Sequence, residues 1–188
     1  MEYIMRIIAG SARSLPLRTV KGSDTRPTTD RIKETLFNII QDEIPGAVFL
    51  DLFAGSGGIG LEAVSRGAKR AVFVDSSRKA AACIRENIAF TKFTDCCELK
   101  CMDFAAAIRS MDGRQQFDII FMDPPYGKGL AAEALLCLRD STLCRESTMI
   151  IAEESVNFNP EEQSGTGFEI IRIKNYKTNL HIFLRKET

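Results

Sequence analysis

Apolar positions along the chain follow two periods, and each switch between them marks an element. Arg6-Ile7-Ile8-Ala9 reads as a short strand and Leu15 to Val20 as a second, with turn residues Gly10 to Ser14 between them. This predicts a small hairpin projecting ahead of the main domain. Lys21 to Pro27 is a loop, and Thr28 or Thr29 can cap the helix that follows. Ile32, Leu36, Ile39/Ile40 and Ile44 recur at helical spacing, giving one buried face from Thr29 to Glu43, and Pro45-Gly46 ends the helix. Ala47 to Leu50, closed by Asp51, reads as a buried parallel strand. Strand and helix then alternate: Arg70 to Asp75, a helix from Ser77 to Thr91 facing inward with Ala80, Ile84 and Ile88, a weaker strand Cys97 to Cys101, and a helix Phe104 to Met111. Phe117 to Met122 is a second strong buried strand, followed by a helix Leu130 to Arg139 and a strand Thr148 to Ala152. Phe168 to Lys174 and Asn179 to Leu184 form a terminal strand pair turning at Tyr176-Lys177-Thr178. The whole predicts an α/β fold, a mostly parallel, doubly wound sheet closed by a hairpin.

Two junctions carry chemistry. In the stretch from Val48 to Gly60, VFLDLFAGSGGIG, Gly55, Gly57, Gly58 and Gly60 follow a strand and lead into Leu61-Glu62-Ala63-Val64, which has helix-forming character. Glycines at that density admit positive φ and let a ligand lie against bare main chain, and the helix N-terminus offers unpaired N–H groups to an anionic group. The pattern GxGxxG alone suggests a dinucleotide. Asp51 argues for another ligand: at the strand end it repels a pyrophosphate and attracts an ammonium. Asp75 can hold ribose hydroxyls in either case. An anchor acid, a glycine loop and a ribose acid suit S-adenosylmethionine, whose amino-acid end carries both an ammonium and a carboxylate. The bland alternative is a tight strand-to-helix turn.

The second junction is Asp123-Pro124-Pro125-Tyr126, after the strand ending at Met122. Ligand sites in open α/β sheets lie at the carboxyl ends of strands. The prolines remove two N–H donors and stiffen the chain, so the turn offers acceptors, to which the Asp123 carboxylate adds. That suits a hydrogen-donating group such as an exocyclic –NH2 on a nucleobase, with Tyr126 giving a face on which the base stacks. A proline-stiffened turn is the bland alternative.

Composition narrows the classes. The 188 residues, 45% hydrophobic and 27% charged, make an ordinary folded domain. No apolar run approaches the roughly 18 residues of a membrane helix, no secretory leader is visible in MEYIMRIIAG, and no membrane partner is expected. Cys83, Cys96, Cys97, Cys101, Cys137 and Cys144 show no CxxC spacing, and His181 is the only histidine, so reduced cytoplasmic thiols are expected and no metal site. Basic and acidic residues balance at 25 each, but their distribution does not: through Lys33 seven basic residues face three acidic ones, so that segment carries +4 and the remainder −4. A basic arm on a neutral domain fits a polyanion gripped at one place, or else a solvated surface arm.

The glycine loop, Asp75, Asp103 and DPPY in this order resemble the class I S-adenosylmethionine-dependent methyltransferases that modify amino groups of bases. With Arg6-Ile-Ile-Ala-Gly10, Arg26-Pro-Thr-Thr-Asp-Arg31 and Lys33-Glu-Thr-Leu-Phe-Asn38, the stretch from Met5 to Ser155 resembles the RsmD family, which methylates a guanine N2 in bacterial 16S ribosomal RNA. Two departures stand out. Four residues precede the usual MRIIAG start, leaving Met1 or Met5 as the initiator; and Tyr176 is flanked by Asn175 and Lys177 where the family tends to have a basic residue, Tyr, Gly.

The resemblance implies a seven-stranded Rossmann-like sheet, with a hairpin arm at 1–27 and the methyltransferase domain at 28–188. It implies a cofactor site of Asp51, Phe53, Gly55, Ser56, Gly57, Gly60, Asp75, Asp103 and Phe104, with the last two meeting the adenine. It makes Asp123, Pro124, Pro125 and Tyr126 the catalytic turn, and Arg6, Arg13, Arg18, Arg26 and Arg31 the RNA contacts. A cytoplasmic monomer acting on 16S rRNA, within a 30S subunit or an assembly intermediate, is expected. Three rivals remain: adenine-N6 methylation of DNA, a non-catalytic RNA-binding assembly factor, and an NAD-dependent oxidoreductase that would leave DPPY idle.

Overall fold

The computed structural model describes residues 5–20 and 30–187. Its centre is β1 (Val48–Leu52), paired in parallel with β2 (Arg70–Val74) on one side and β4 (Phe117–Met122) on the other. Outward from these lie β3 (Cys97–Lys100) beyond β2 and β5 (Cys144–Ser155) beyond β4; β7 (Asn179–Lys186) pairs antiparallel with β5, and β6 (Phe168–Asn175) forms the edge. The order β3-β2-β1-β4-β5-β7-β6 gives seven strands, five parallel and a terminal antiparallel pair, as the alternation implied. Register sets the functional end: Leu52 lies opposite both Val74 and Met122, so the chain leaves β1, β2 and β4 at one level. The glycine loop, Asp75 and Asp123 therefore share one rim, at the point where strand order reverses.

Alternate residues of each strand feed two cores. Phe49, Phe73, Ile119 and Phe121 pack under α1 (Asp30–Ile39), α2 (Gly58–Ser65) and α3 (Arg78–Thr91). Leu50, Leu52, Val72, Val74, Ile120 and Met122 pack under α4 (Phe104–Met111) and α5 (Leu130–Arg139). Several elements depart from expectation. Asp51 lies inside β1, one residue before its end, on the Phe49 face. α1 stops at Ile39, and the chain turns so that Ile40 and Ile44 both still reach the core. Its buried face includes Lys33, which periodicity had left with the basic surface. β5 is longer than its apolar run because Phe117 pairs with Cys144 at one end and Ser155 with Asn179 at the other. The polar bend within it is stitched by the Thr148 hydroxyl donating to the Phe117 carbonyl (2.7 Å).

The N-terminal segment does not project. It holds a single antiparallel bridge, Arg6 with Pro16, and its Met5, Ile7, Ala12 and Leu17 are buried in the first core. Ile8 and Ala9 N–H groups donate to the Glu62 carboxylate (2.8 and 3.0 Å), and Asn87 brackets the Arg18 backbone from α3. Gly10 (φ +83) lies so close to α2 that a Cβ would fall 1.8 Å from the Ser65 carbonyl oxygen. The hairpin is short, closed by backbone hydrogen bonds from Ile7 to Leu15, Ser14 to Ile7 and Leu17 to Met5 (3.0, 2.8 and 2.7 Å), and burial of its apolar residues holds it against the domain. The expected loop Lys21 to Pro27, the caps Thr28 and Thr29, Arg26, and the arm's boundary at residue 27 lie outside the described residues. Among those described, no helix is long and apolar enough to cross a membrane.

Candidate active site

The glycine turn works as its spacing suggests, with the glycines in different roles. Gly55 (φ +56) and Gly57 (φ +79) make the turn in the left-handed region, where a side chain is strained. Gly58 and Gly60 are already in α2, and there closeness matters: a Cβ on Gly60 would fall 2.4 Å from the Phe73 ring, and one on Gly58 would meet the Met5 sulfur. The Gly60 N–H donates to Asp51 Oδ2 (2.9 Å), so Asp51 ties the strand to the helix start. Asp75 ties the turn from the other side, accepting from the Gly55 and Ser77 N–H groups (2.8 Å each).

A cavity of about 310 Å³ opens at this rim, in the size range of small-molecule sites. Asp51, Phe53, Gly55, Ser56 and Asp75 line one side, and Asp123 and Pro125 line the same space from β4. Four residues implied for the cofactor are not among its walls: Gly57 and Gly60, which pack toward the Phe73 ring, and Asp103 and Phe104. Asp103 caps α4, accepting from the Ala105 and Ala106 N–H groups (2.9 and 3.3 Å). Phe104 is buried behind Phe53, ring centroids 5.1 Å apart. Sequence reasoning missed Met5, Thr19 and Val20, which bring the N-terminal segment to the cavity wall.

The cavity is acidic. Burial pushes the Asp51 carboxyl up to about 8, with the charge of Asp75 adding to the rise and the Gly60 N–H opposing it. Asp123 is pushed well above the carboxylate range by burial first, then by Glu153, Asp51 and Glu154. Lys33 also lines the space but is paired with Glu62 (3.3 Å), so among the described residues the carboxyls of Asp51 and Asp123 face it without a cation partner of their own, which prepares it for positive charge.

Tyr126 stands 42% exposed, its hydroxyl donating to Glu153 Oε1 (2.9 Å). Buried Glu153 also accepts from Asn179 Nδ2 (2.5 Å) and from His181 Nε2 (3.1 Å), whose Nδ1 meets the Tyr176 hydroxyl (3.2 Å). With the proton on Nε2, Nδ1 accepts from Tyr176, and every member of the chain is satisfied. Sequence spacing could not reveal this chain, since Glu153 and His181 meet through the β5–β7 register. Of the arginines assigned to RNA, Arg6 pairs with Asp30 (2.8 Å) and Arg18 with Glu86 (2.6 Å), while Arg13 and Arg31 are exposed.

A glycine turn, an acid after β2 and an acceptor turn after β4, on this strand order, define a class I methyltransferase, Rossmann-like in architecture. The solved Escherichia coli structure of yhhF superposes with a TM-score of 0.83 at 30% identity, covering 98% of this chain and 99% of that one. The chain belongs to the RsmD family of rRNA methyltransferases: the family model described as "Conserved hypothetical protein 95" matches residues 5–185. Ribosomal RNA small subunit methyltransferase D of Escherichia coli is 35% identical over 152 residues, 81% of this chain and 75% of that one. Bacillus subtilis YlbH is 41% identical over 151 residues, 79% of this chain and 82% of that one.

Proposed function

We propose that the protein transfers a methyl group from S-adenosylmethionine to the exocyclic N2 amine of a guanine in 16S ribosomal RNA, as a cytoplasmic monomer acting on a 30S subunit or an assembly intermediate. One observation carries this reading: Gly55 and Asp75 share an acidic cavity with Asp123 and Pro125. A dinucleotide would bring a pyrophosphate against Asp51 and Asp123. S-adenosylmethionine brings a sulfonium and an ammonium against one carboxylate, and so fits the donor set.

When bound, S-adenosylmethionine would supply an electrophilic methyl group to the amine lone pair and would depart as a neutral thioether. Asp51 would hold the ammonium, the turn into α2 from Gly55 through Ser56 and Gly57 to Gly60 would hold the carboxylate, and Asp75 would hold the ribose hydroxyls. Phe53, backed by Phe104 and the α4 cap at Asp103, offers the apolar wall for the adenine. The Asp123 carboxylate and the Pro124 carbonyl accept from the guanine amine, favouring pyramidal nitrogen. Asp123 then takes the proton that leaves it, a role suited to its raised proton affinity. Pro125 stiffens the turn, and the Tyr126 ring replaces stacking lost when the base is flipped out. Arg6, Arg13, Arg18, Arg26 and Arg31 hold phosphates without reading sequence.

Labelled cofactor offered with 30S particles, 16S transcript or duplex DNA, followed by mapping of the modified base, tests the reading. Label on a guanine N2 of 16S RNA is the expected result. Label on DNA adenine, or calorimetry showing NAD bound and S-adenosylmethionine ignored, would overturn it.

A further inference from the structure

A second concavity, of about 460 Å³, lies away from the acidic cavity and shares no lining residue with it. Arg31 at the start of α1 forms one wall; Lys174, Asn175, Tyr176, Lys177 and Thr178, from β6 and the turn into β7, form the other. Among the described residues, Arg31, Lys174 and Lys177 make no ion pair, as holds for several other surface cations; what sets these three apart is that they line one groove. Three unneutralised cations around one groove, on a chain of zero net charge, are a local footprint for a polyanion.

Topology places the groove beside the reaction site. Met122 lies opposite Ala152, and β5 runs on to Ser155, opposite Asn179, so the 176–178 turn sits on the same rim as the Asp123–Tyr126 turn. A chain of hydrogen bonds joins the two: Tyr176 on the groove wall to His181, His181 to Glu153, and Glu153 to Tyr126. Whatever lies in the groove therefore rests on the scaffold that orients Tyr126.

We propose that this groove is a second RNA-docking surface, in which Arg31, Lys174 and Lys177 hold phosphates of the strand flanking the target nucleotide. It adds the C-terminal hairpin to the contacts of the N-terminal arginines, and it rests on the reading of the protein as an rRNA methyltransferase. Neutral Asn175 and Thr178 supply hydrogen-bonding groups between the cations, which suits phosphate and ribose oxygens more than a protein's carboxylates.

The test is the double variant Lys174→Ala/Lys177→Ala, at a half-buried position of the edge strand β6 and an exposed position of the turn after it, with unfolding midpoints measured to confirm that the fold is kept. Affinity for in vitro transcribed 16S rRNA would be measured across salt concentrations, with S-adenosylmethionine affinity measured alongside. The slope of log K against log salt should fall by about 1.4–1.8 for two lost phosphate contacts. Cofactor affinity should stay within about twofold, since the groove is separate from that cavity. A wild-type slope in the double variant overturns the proposal, as does wild-type protein that binds no RNA. Loss of affinity for 30S particles with an unchanged slope on naked RNA would assign the groove to a ribosomal protein and also overturn it. Failure of the guanine reading looks different: the wild type binds RNA, the variant loses slope, and no guanine is methylated.

Discussion

Among the described residues two glutamates are buried, Glu62 and Glu153, and they are satisfied in opposite ways. Glu62, on α2, is fully buried and meets cations: Lys33 Nζ at 3.3 Å and Arg66 Nε at 2.8 Å, besides the Ile8 and Ala9 N–H groups. Glu153, on β5, meets neutral donors on Tyr126 and Asn179 and the ring of His181. The first arrangement is a staple. It fixes the N-terminal segment against α2, and through Met5, Thr19 and Val20 that segment completes the wall of the acidic cavity. The second ties the Asp123–Tyr126 turn to β7, and on the proposed function it orients the Tyr126 ring. With no lysine or arginine paired to it among the described residues, the Glu153 charge reaches Asp123 and helps raise its proton affinity.

Removing the staple should have the largest effect. Glu62→Ala leaves Lys33 buried without its counter-ion and two backbone N–H groups without an acceptor. Lys33 already sits below its ordinary proton affinity because burial disfavours its charge, with Glu62 the main opposing influence. Breaking a buried pair by deleting one partner costs about 3–5 kcal/mol. Denaturant unfolding should show that loss, and Lys33→Met in the same background should restore part of it. Unfolding midpoints equal to wild type would show that the ion pair does not hold the segment.

Next in size comes Asp123, where the effect should fall on rate. Its contribution belongs mainly to the transition state, so Asp123→Ala should lower kcat by about 10²–10³, the scale for one removed transition-state hydrogen bond. Cofactor affinity should be nearly intact, and RNA affinity only mildly reduced. Single-turnover assays on 30S particles with saturating cofactor measure this. A wild-type rate would leave the Pro124 carbonyl as the sole acceptor.

The same contrast explains what was legible in the sequence. The parallel half was, because its chemistry lies within short windows: Gly55 to Gly60, Asp75 and Asp123 to Tyr126 each announce a strand end, and parallel register brings those ends together. The two chain ends were not. Lys33 looked like surface charge because its partner is 29 positions away on another helix. His181 looked like a lone histidine because β7 inserts between β5 and β6, which no local pattern encodes. The hairpin arm was misplaced for a related reason: its four buried apolar residues seek α2 and α3, and strand periodicity does not say which partner they find. Asp103 and Phe104 stand one step back from the cavity because the turn after β3 spends Asp103 on capping α4.

Acidity in the cavity yields a smaller effect with a defined sign. The Asp51 carboxyl is pushed up to about 8, so below that pH it is increasingly neutral and loses its attraction for an ammonium. Affinity for S-adenosylmethionine should therefore rise with pH through about 8, by at most tenfold per unit, since one proton is displaced. Bound positive charge pulls the carboxyl down again, so protons should be released on binding, visible as a buffer-dependent heat in calorimetry. Asp51→Asn should bind more weakly and flatten this pH dependence. A profile of the same steepness in that variant would move the titration to Asp123.

The smallest effect separates the ring of Tyr126 from its hydroxyl. If only the ring face stacks on the base, Tyr126→Phe keeps activity and Tyr126→Ala loses about 1–3 kcal/mol, shared between RNA binding and rate. The structure adds a contribution for the hydroxyl, because it is tied to Glu153 at 2.9 Å while the ring stands partly open. Removing that bond leaves Glu153 with Asn179 and His181 and frees the ring to swing, at a cost of about 1 kcal/mol, the net worth of an ordinary hydrogen bond. Tyr126→Phe should accordingly lose roughly fivefold in kcat/KM by that figure, with unfolding stability almost unchanged. Glu153→Gln provides the cross-check: its amide keeps an acceptor for Tyr126 but removes the charge beside Asp123. It should thus hold the ring while shifting the acidic limb of the rate profile to lower pH, because Asp123 would ionise more readily. If Tyr126→Phe were silent and Glu153→Gln left that limb in place, the Glu153 cluster would be a structural element like that around Glu62.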